Sequence, residues 1–318
     1  MDLYLVSGFL GSGKTTLIIR LSKFLMEKGK KIAVVTNDQG KYLVDTAFVN
    51  AENIPAVDVQ SGCYCTNYPD LLRQLEYLQK KIDPDIVFAE AIGSSANLSG
   101  TVGAALLQTN DFRAKALITL ADARLMLRRV KGEPLPFSEN VKAVYDSQIN
   151  ESDCLIINKI DLLTKADISV LQQEIPRHFS TDNSRFISAF CRRDLQELFE
   201  HLSRIRSSAL RNAAPDPQLK SEAFRNLKWY EQQFELEDPN DVHDALLTRL
   251  KDMLNSFEKQ AFRIIRFKCL VRTREQNHYS FDISPSDPLS WKILLRDLHS
   301  TKASVLINAR LLRETALR

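Results

Sequence analysis

Nine residues near the amino terminus, Gly8-Phe9-Leu10-Gly11-Ser12-Gly13-Lys14-Thr15-Thr16, constrain this chain more than any other stretch. They follow a short apolar run, Leu3-Tyr4-Leu5-Val6, and lead into a helical pattern from Leu17. The spacing is G-x-x-x-x-G-K-[ST], in which glycines let successive backbone N–H groups converge on one phosphate. Gly11, Ser12 and Gly13 would form the cradle, with Lys14 reaching the β- and γ-phosphates. The Thr15 hydroxyl would ligate Mg²⁺, with Thr16 beside it in the first helical turn. The helix that begins here adds the positive end of its dipole. The stretch predicts a strand–loop–helix unit that holds a nucleoside triphosphate.

The pattern continues downstream. A helix is expected over 15–28, closed by Gly29. Short apolar segments at 32–35, 56–59, 86–89, 115–121, 154–157 and 185–187 read as buried parallel strands. Polar motifs stand at their carboxyl ends, where open α/β sheets bind ligands. Over 207–223 the composition turns to Ser, Ala, Asn, Pro and Asp. Beyond it, strand-like segments at 229–236, 262–271, 279–283 and 304–307 accompany a helix near 241–257. The expected fold is α/β: a P-loop NTPase domain over residues 1–205 with a mostly parallel sheet flanked by helices. A linker at 206–226 then leads to a smaller C-terminal α+β domain over 227–318, assigned to client or partner binding.

Composition narrows the partners. The 43 basic and 40 acidic residues leave a net charge of only +3, which argues against nucleic acid. No apolar run approaches the ~20 residues needed to span a bilayer, and no leader pattern precedes the first strand. A cytoplasmic protein without a membrane partner is expected. The five cysteines of such a chain read as metal ligands, nucleophiles or core filler rather than as a disulfide framework.

Further motifs specify chemistry. Asn158-Lys159-Ile160-Asp161 follows an apolar strand. The Asp161 carboxylate can accept two parallel hydrogen bonds from N1–H and the exocyclic amine of guanine, a donor pair that adenine lacks. Asn158 would buttress the phosphate loop, and the Lys159 stem would pack on the base plane. Backbone N–H groups at Ser188-Ala189 could meet the guanine oxygen. Glu90, at the end of a strand, can hold Mg²⁺, and the Gly93 N–H can meet the γ-phosphate. Asp38 is a candidate to orient or deprotonate the attacking water. Asp45 is read as a second loop carboxylate. Cys63-x-Cys65 offers two thiolates toward a Zn²⁺ or softer transition-metal site. Cys154 is expected in the core.

These stretches together resemble the CobW-like GTPases: GFLGSGKTT, NDQG with VDT, SGCYC, EAIG, QINESD leading into NKID, and INARLL near the carboxyl end. The resemblance implies binding of GTP/GDP with Mg²⁺ and hydrolysis coupled to delivery of a metal or metal cofactor, often Zn²⁺ or Co²⁺. It implies a client metalloenzyme or cofactor protein as partner, with a second copy of the chain as another candidate. Three departures stand out. Thr66 replaces the third cysteine of the usual Cys-x-Cys-Cys, Asp38-Gln39 stands where Glu-Phe is common, and Cys269 replaces the glycine of Arg-x-Lys-Gly.

The expectation is a slow GTPase in which Lys14, Asp38 and Glu90 carry the chemistry, since no arginine finger is identifiable. Two alternatives stay open: a metal-free, GTP-switched chaperone for a corrinoid or other cofactor enzyme, and a P-loop small-molecule kinase, against which the NKID motif counts.

Overall fold

The computed structural model describes residues 1–37, 43–60, 62–107, 112–181, 183–205, 227–275, 277–283 and 295–313. Asp38 and the expected 206–226 linker lie outside them. The chain divides into two units: Met1–Gln39 with Glu52–Phe224, and Gly40–Ala51 with Arg225–Arg318.

The first unit is built on seven strands: β1 (Asp2–Gly8), β2 (Ile32–Thr36), β3 (Ala56–Asp58), β4 (Ile86–Glu90), β5 (Arg113–Asp122), β6 (Cys154–Asn158) and β7 (Ser184–Ile187). Their order is β3-β2-β4-β1-β5-β6-β7, and every pairing is parallel. β2, β4 and β6 are buried at every position because both faces of the sheet are covered; their first four residues are apolar, and only the last of each, Thr36, Glu90 and Asn158, is polar. The helices are α1 (Lys14–Met26), α3 (Tyr68–Lys81), α4 (Ala104–Leu107), α5 (Ala123–Val130), α6 (Glu139–Asn150), α7 (Lys165–His178) and α8 (Arg192–Arg204).

On α3, Leu71, Leu75 and Leu78 recur at helical spacing and are fully buried against Leu3, Leu5, Val35 and Val87. Each contributes on the order of 2 kcal/mol by leaving water. Register aligns the strand ends: Val6 pairs with Glu90, Asp122 with Asn158, and Asn158 with Ile187. The motifs read from sequence therefore emerge along one edge of the sheet.

The second unit is a four-stranded antiparallel sheet, β8 (Leu227–Glu237), β9 (Phe262–Thr273), β10 (His278–Ile283) and β11 (Lys302–Arg313), in the order β10-β9-β11-β8. Helix α9 (His243–Lys259) buries Leu246, Leu250 and Phe257 in a core with Phe267, Cys269, Val271, Ile307, Ala309 and Leu311. The alternate residues Lys268 and Asn308 pair in register and are also buried.

Helix α2 (Val44–Ala51) belongs to this unit and corrects the loop reading of Asp45. Val44, Phe48 and Val49 form a buried stripe at helical spacing, too short to stand out against the polar residues around it. From this helix Asp45 pairs with Lys268 and, at 3.5 Å, with Arg266. The Lys268 ammonium also sits 4.8 Å from the centre of the Phe48 ring.

Candidate nucleotide and metal site

β1 runs into the phosphate loop, and the loop runs into α1. Gly13 caps α1 in a left-handed conformation, φ +92°, and a Cβ there would lie 2.4 Å from Asn158 Nδ2. Only glycine satisfies both demands. Lys14 is buried, and its ammonium donates to the carbonyls of Gly8 (2.7 Å) and Phe9 (3.3 Å) at the start of the same loop. The Thr15 hydroxyl donates to Glu90 Oε1 at 2.8 Å, 75 residues away in sequence. Both residues are buried, so an oxygen-only pair stands at the loop mouth. Thr16 follows in the first turn of α1 and is half-buried.

Asn158 joins two loops. Its Nδ2 donates to Ser12 O at 3.0 Å, and its Oδ1 accepts from Ala189 N at 3.1 Å. Ser188 N in turn donates to Asp194 Oδ2 at 2.7 Å. Lys159 takes a left-handed conformation, φ +68°. Its ammonium donates to Gly11 O and to Asp122 Oδ2, both at 2.8 Å. Asp122 is almost fully buried, and its other oxygen caps α5 by accepting from Arg124 N at 2.9 Å. Asp161 lies in a short 3₁₀ turn, Ile160–Leu162, and is exposed. Gly11, Ser12, Asn158, Lys159 and Ala189 are thus joined by hydrogen bonds, with Gly13 packed against Asn158, Ser188 preceding Ala189 and Asp161 exposed two residues beyond Lys159.

Gly93 lies against the phosphate loop: a Cβ on it would fall 2.6 Å from Leu10 Cδ2 and 2.9 Å from Leu10 N. Three polar residues in this region have no role that the sequence alone suggests. Asp122 is one. Gln148, on α6, donates from Nε2 to Gly93 O at 3.0 Å and to Ser95 O at 2.5 Å. Glu151, at the end of α6, accepts from Ser99 N at 3.1 Å. Burial pushes the Glu151 carboxyl up to about 7, against the opposing pull of the backbone N–H groups of 97–99. The only signal in sequence for Gln148 and Glu151 is their place in the QINESD stretch.

The cysteine loop is tied to the same edge. Asn37 Nδ2, just after β2, donates to Val59 O (2.9 Å) and Gly62 O (2.7 Å). The Tyr64 hydroxyl donates to Val35 O at 2.9 Å from a fully buried ring. Cys63 and Cys65 are joined as a disulfide. Thr66 Oγ1 lies 3.5 Å from Cys63 Sγ and donates to Cys63 O at 3.0 Å. Among the described residues, no group of three or more His, Cys, Asp or Glu could hold a metal ion. Cys154 is a core thiol pushed up to about 12 by burial.

The sequence model of the family described as CobW/HypB/UreG, nucleotide-binding domain, matches residues 2–183. A urease accessory protein UreG from Metallosphaera sedula is 32% identical over 199 residues, covering 58% of this chain and 84% of the relative. The zinc-regulated GTPase metalloprotein activator 1 of Schizosaccharomyces pombe is 26% identical over 183 residues, covering 54% of this chain and 42% of the relative. A zinc chaperone CobW from Sinorhizobium sp is 23% identical over 197 residues, with 54% of each chain covered. None of the described helices is long and apolar enough to cross a membrane.

Proposed function

The chain belongs to the CobW/HypB/UreG family of nucleotide-binding GTPases that serve metalloenzyme maturation, and from that premise we propose that it hydrolyses GTP to GDP and couples nucleotide state to delivery of a metal or metal cofactor to a client enzyme. The observation that carries the reading is Asn158. It hydrogen-bonds the phosphate loop through Ser12 and the loop at Ala189, so the phosphate and guanine ends of one nucleotide are served by one frame.

In this reading the amides of Gly11, Ser12, Gly13, Lys14, Thr15 and Thr16 cradle the phosphates. Lys14 exchanges its loop carbonyls for phosphate oxygens and stabilises charge on the transferring group. Asp161, Ser188 and Ala189 select guanine. The oxygen-only pair Thr15 and Glu90 fits Mg²⁺, a hard cation that neutralises phosphate charge when bound. Gly93 meets the γ-phosphate, and Asp38 orients the water. Intrinsic turnover is slow in this reading and would rise if a partner or a second copy supplied an arginine. The cargo is a transition metal such as Zn²⁺ or Co²⁺, for which reduced Cys63 and Cys65 offer two thiolates. A client metalloenzyme or cofactor protein receives it, and a second copy of the chain is a further partner. The setting is the cytoplasm.

One observation favours a second reading, a GTP-switched chaperone without metal of its own. Thr66 packs its hydroxyl against Cys63 where a third thiolate would stand. Metal titration of the reduced protein under a GTP analogue and under GDP separates the two. Metal delivery predicts tighter binding with the GTP analogue, abolished by Cys63→Ser with Cys65→Ser. Equal binding by that double variant and the wild type would remove the cysteines from the site.

A further inference from the structure

The segment that follows β4 contains Gly93, and it has little structure of its own between the strand end and the helical turn at Ser99–Gly103. Its amide at Ala91 donates to Val6 O of β1 at 2.9 Å, and beyond that its main side-chain ties come from one helix, α6. Gln148 and Glu151 stand three residues apart near the end of α6, on the same face one turn apart. Gln148 is 1% exposed and directs its amide at two outward carbonyls, Gly93 O at 3.0 Å and Ser95 O at 2.5 Å. Its own backbone carbonyl is held by the Thr119 hydroxyl of β5 at 3.0 Å, so the donor is fixed to the sheet. Glu151 is 2% exposed and accepts from Ser99 N at 3.1 Å. The near end of the segment is thus gripped by a donor and the far end by an acceptor, matching the carbonyls and N–H groups that an irregular segment presents there.

We infer that Gln148 is a positioning residue for the GTPase reaction, setting the Gly93 N–H for the γ-phosphate, with Glu151 fixing the other end of the same segment. The inference rests on the reading of Gly93 as the γ-phosphate contact. Geometry makes the position sensitive. Gly93 already packs against Leu10 with no room for a methyl group, so a small relaxation of its carbonyl changes the distance between its amide and the phosphate loop. A misplaced donor weakens a charge-assisted bond that exists only when the third phosphate is present. GDP has no such contact to lose.

The test is Gln148→Met, which keeps the volume and removes both donated bonds, beside Gln148→Asn, which keeps the amide one methylene shorter. Fluorescent GDP, a non-hydrolysable GTP analogue and single-turnover GTP hydrolysis are measured on each. Gln148→Met should bind GDP within about twofold of wild type, bind the GTP analogue at least about tenfold more weakly, and hydrolyse GTP at least about tenfold more slowly. Gln148→Asn should fall between, and amide exchange over 94–99 should quicken in both while β5 and β6 stay protected. Equal losses for GDP and the GTP analogue would make Gln148 a structural residue, and unchanged values for all three would overturn the inference outright. If Gln148→Met does not fold, Gln148→Asn carries the same comparison. A wild-type protein that binds no guanine nucleotide would instead overturn the underlying GTPase reading, and with it any role of Gln148 in hydrolysis.

Discussion

Asn158→Ala is the substitution whose consequence the structure lets one work out furthest. The side chain is 2% exposed and makes two hydrogen bonds, one to Ser12 O and one from Ala189 N. Truncation leaves a carbonyl and an N–H without their partner inside buried residues, at about 1–3 kcal/mol each. Water entering the space offsets part of that, so the nucleotide-free protein should lose about 2–4 kcal/mol. Asn158→Asp separates the two bonds. It keeps an acceptor for Ala189 N but sets a carboxylate oxygen against Ser12 O, so its damage concentrates on the phosphate loop. Urea unfolding without nucleotide reads the first quantity, and GDP calorimetry reads the second. Asn158→Ala should shift the unfolding midpoint and weaken GDP, whereas Asn158→Asp should weaken GDP at least as much. A stability change below about 0.5 kcal/mol for Asn158→Ala, the range of ordinary surface substitutions, would refute the bridging role.

Three further outcomes are expected. The wild type should prefer GTP to ATP, by up to about 4 orders of magnitude, because a site that hydrogen-bonds its base rejects mismatched donors, and Asp161→Asn should shift the preference toward xanthine in competition binding; equal wild-type affinities for ATP and GTP would contradict the assignment. Lys14→Ala should abolish tight GTP binding and turnover while lowering stability by about 2–4 kcal/mol, since two buried loop carbonyls lose its ammonium; a folded variant with normal turnover would exclude the phosphate-loop role. Glu151 should make stability depend on pH: its folded value of about 7 stands above the ordinary 4.5, so its contribution is full below pH 4.5 and is lost as pH rises through 7, about 3 kcal/mol in all. Glu151→Gln, which keeps an accepting oxygen, should flatten denaturation midpoints between about pH 5 and 8, and an unchanged slope would show that another group titrates.

The strands were legible because a sheet covered on both faces favours apolar runs, as at 32–35 and 154–157. The phosphate loop and Asn158 were legible because their chemistry is local to a motif. Lys159 shows where that stops. From sequence its stem is expected to pack on a base; the structure shows its ammonium closing onto Gly11 O and the buried Asp122. That partner lies 37 residues away, and nothing in the spacing of a strand end announces it. Gln148 is 55 residues from the carbonyl of Gly93 that it holds. Long-range polar contacts of this kind follow from topology, through neighbouring strands whose ends coincide. Helix α2 escaped for a different reason: over the eight residues of Val44–Ala51 an apolar stripe has little length in which to repeat.

In the proposed reading the two kinds of contact serve different parts of the nucleotide. The loops expected to take the base and the first two phosphates are bonded directly to one another, Gly11 to Lys159 and Ser12 to Asn158. Binding there costs little ordering, which favours GDP and GTP alike. The third phosphate faces a different construction. Gly93 belongs to a segment held by α6 side chains, and the cysteine loop is held by Asn37 and Tyr64. A ligand shifts a conformational equilibrium only by its differential affinity for the two states. In the proposed reading these side-chain ties add to Lys14, which also reaches the third phosphate, in distinguishing GTP from GDP. Asn37 ties Gly62, the residue before Cys63, to the end of β2, so in the proposed reading the cysteine loop would follow any change at that strand end.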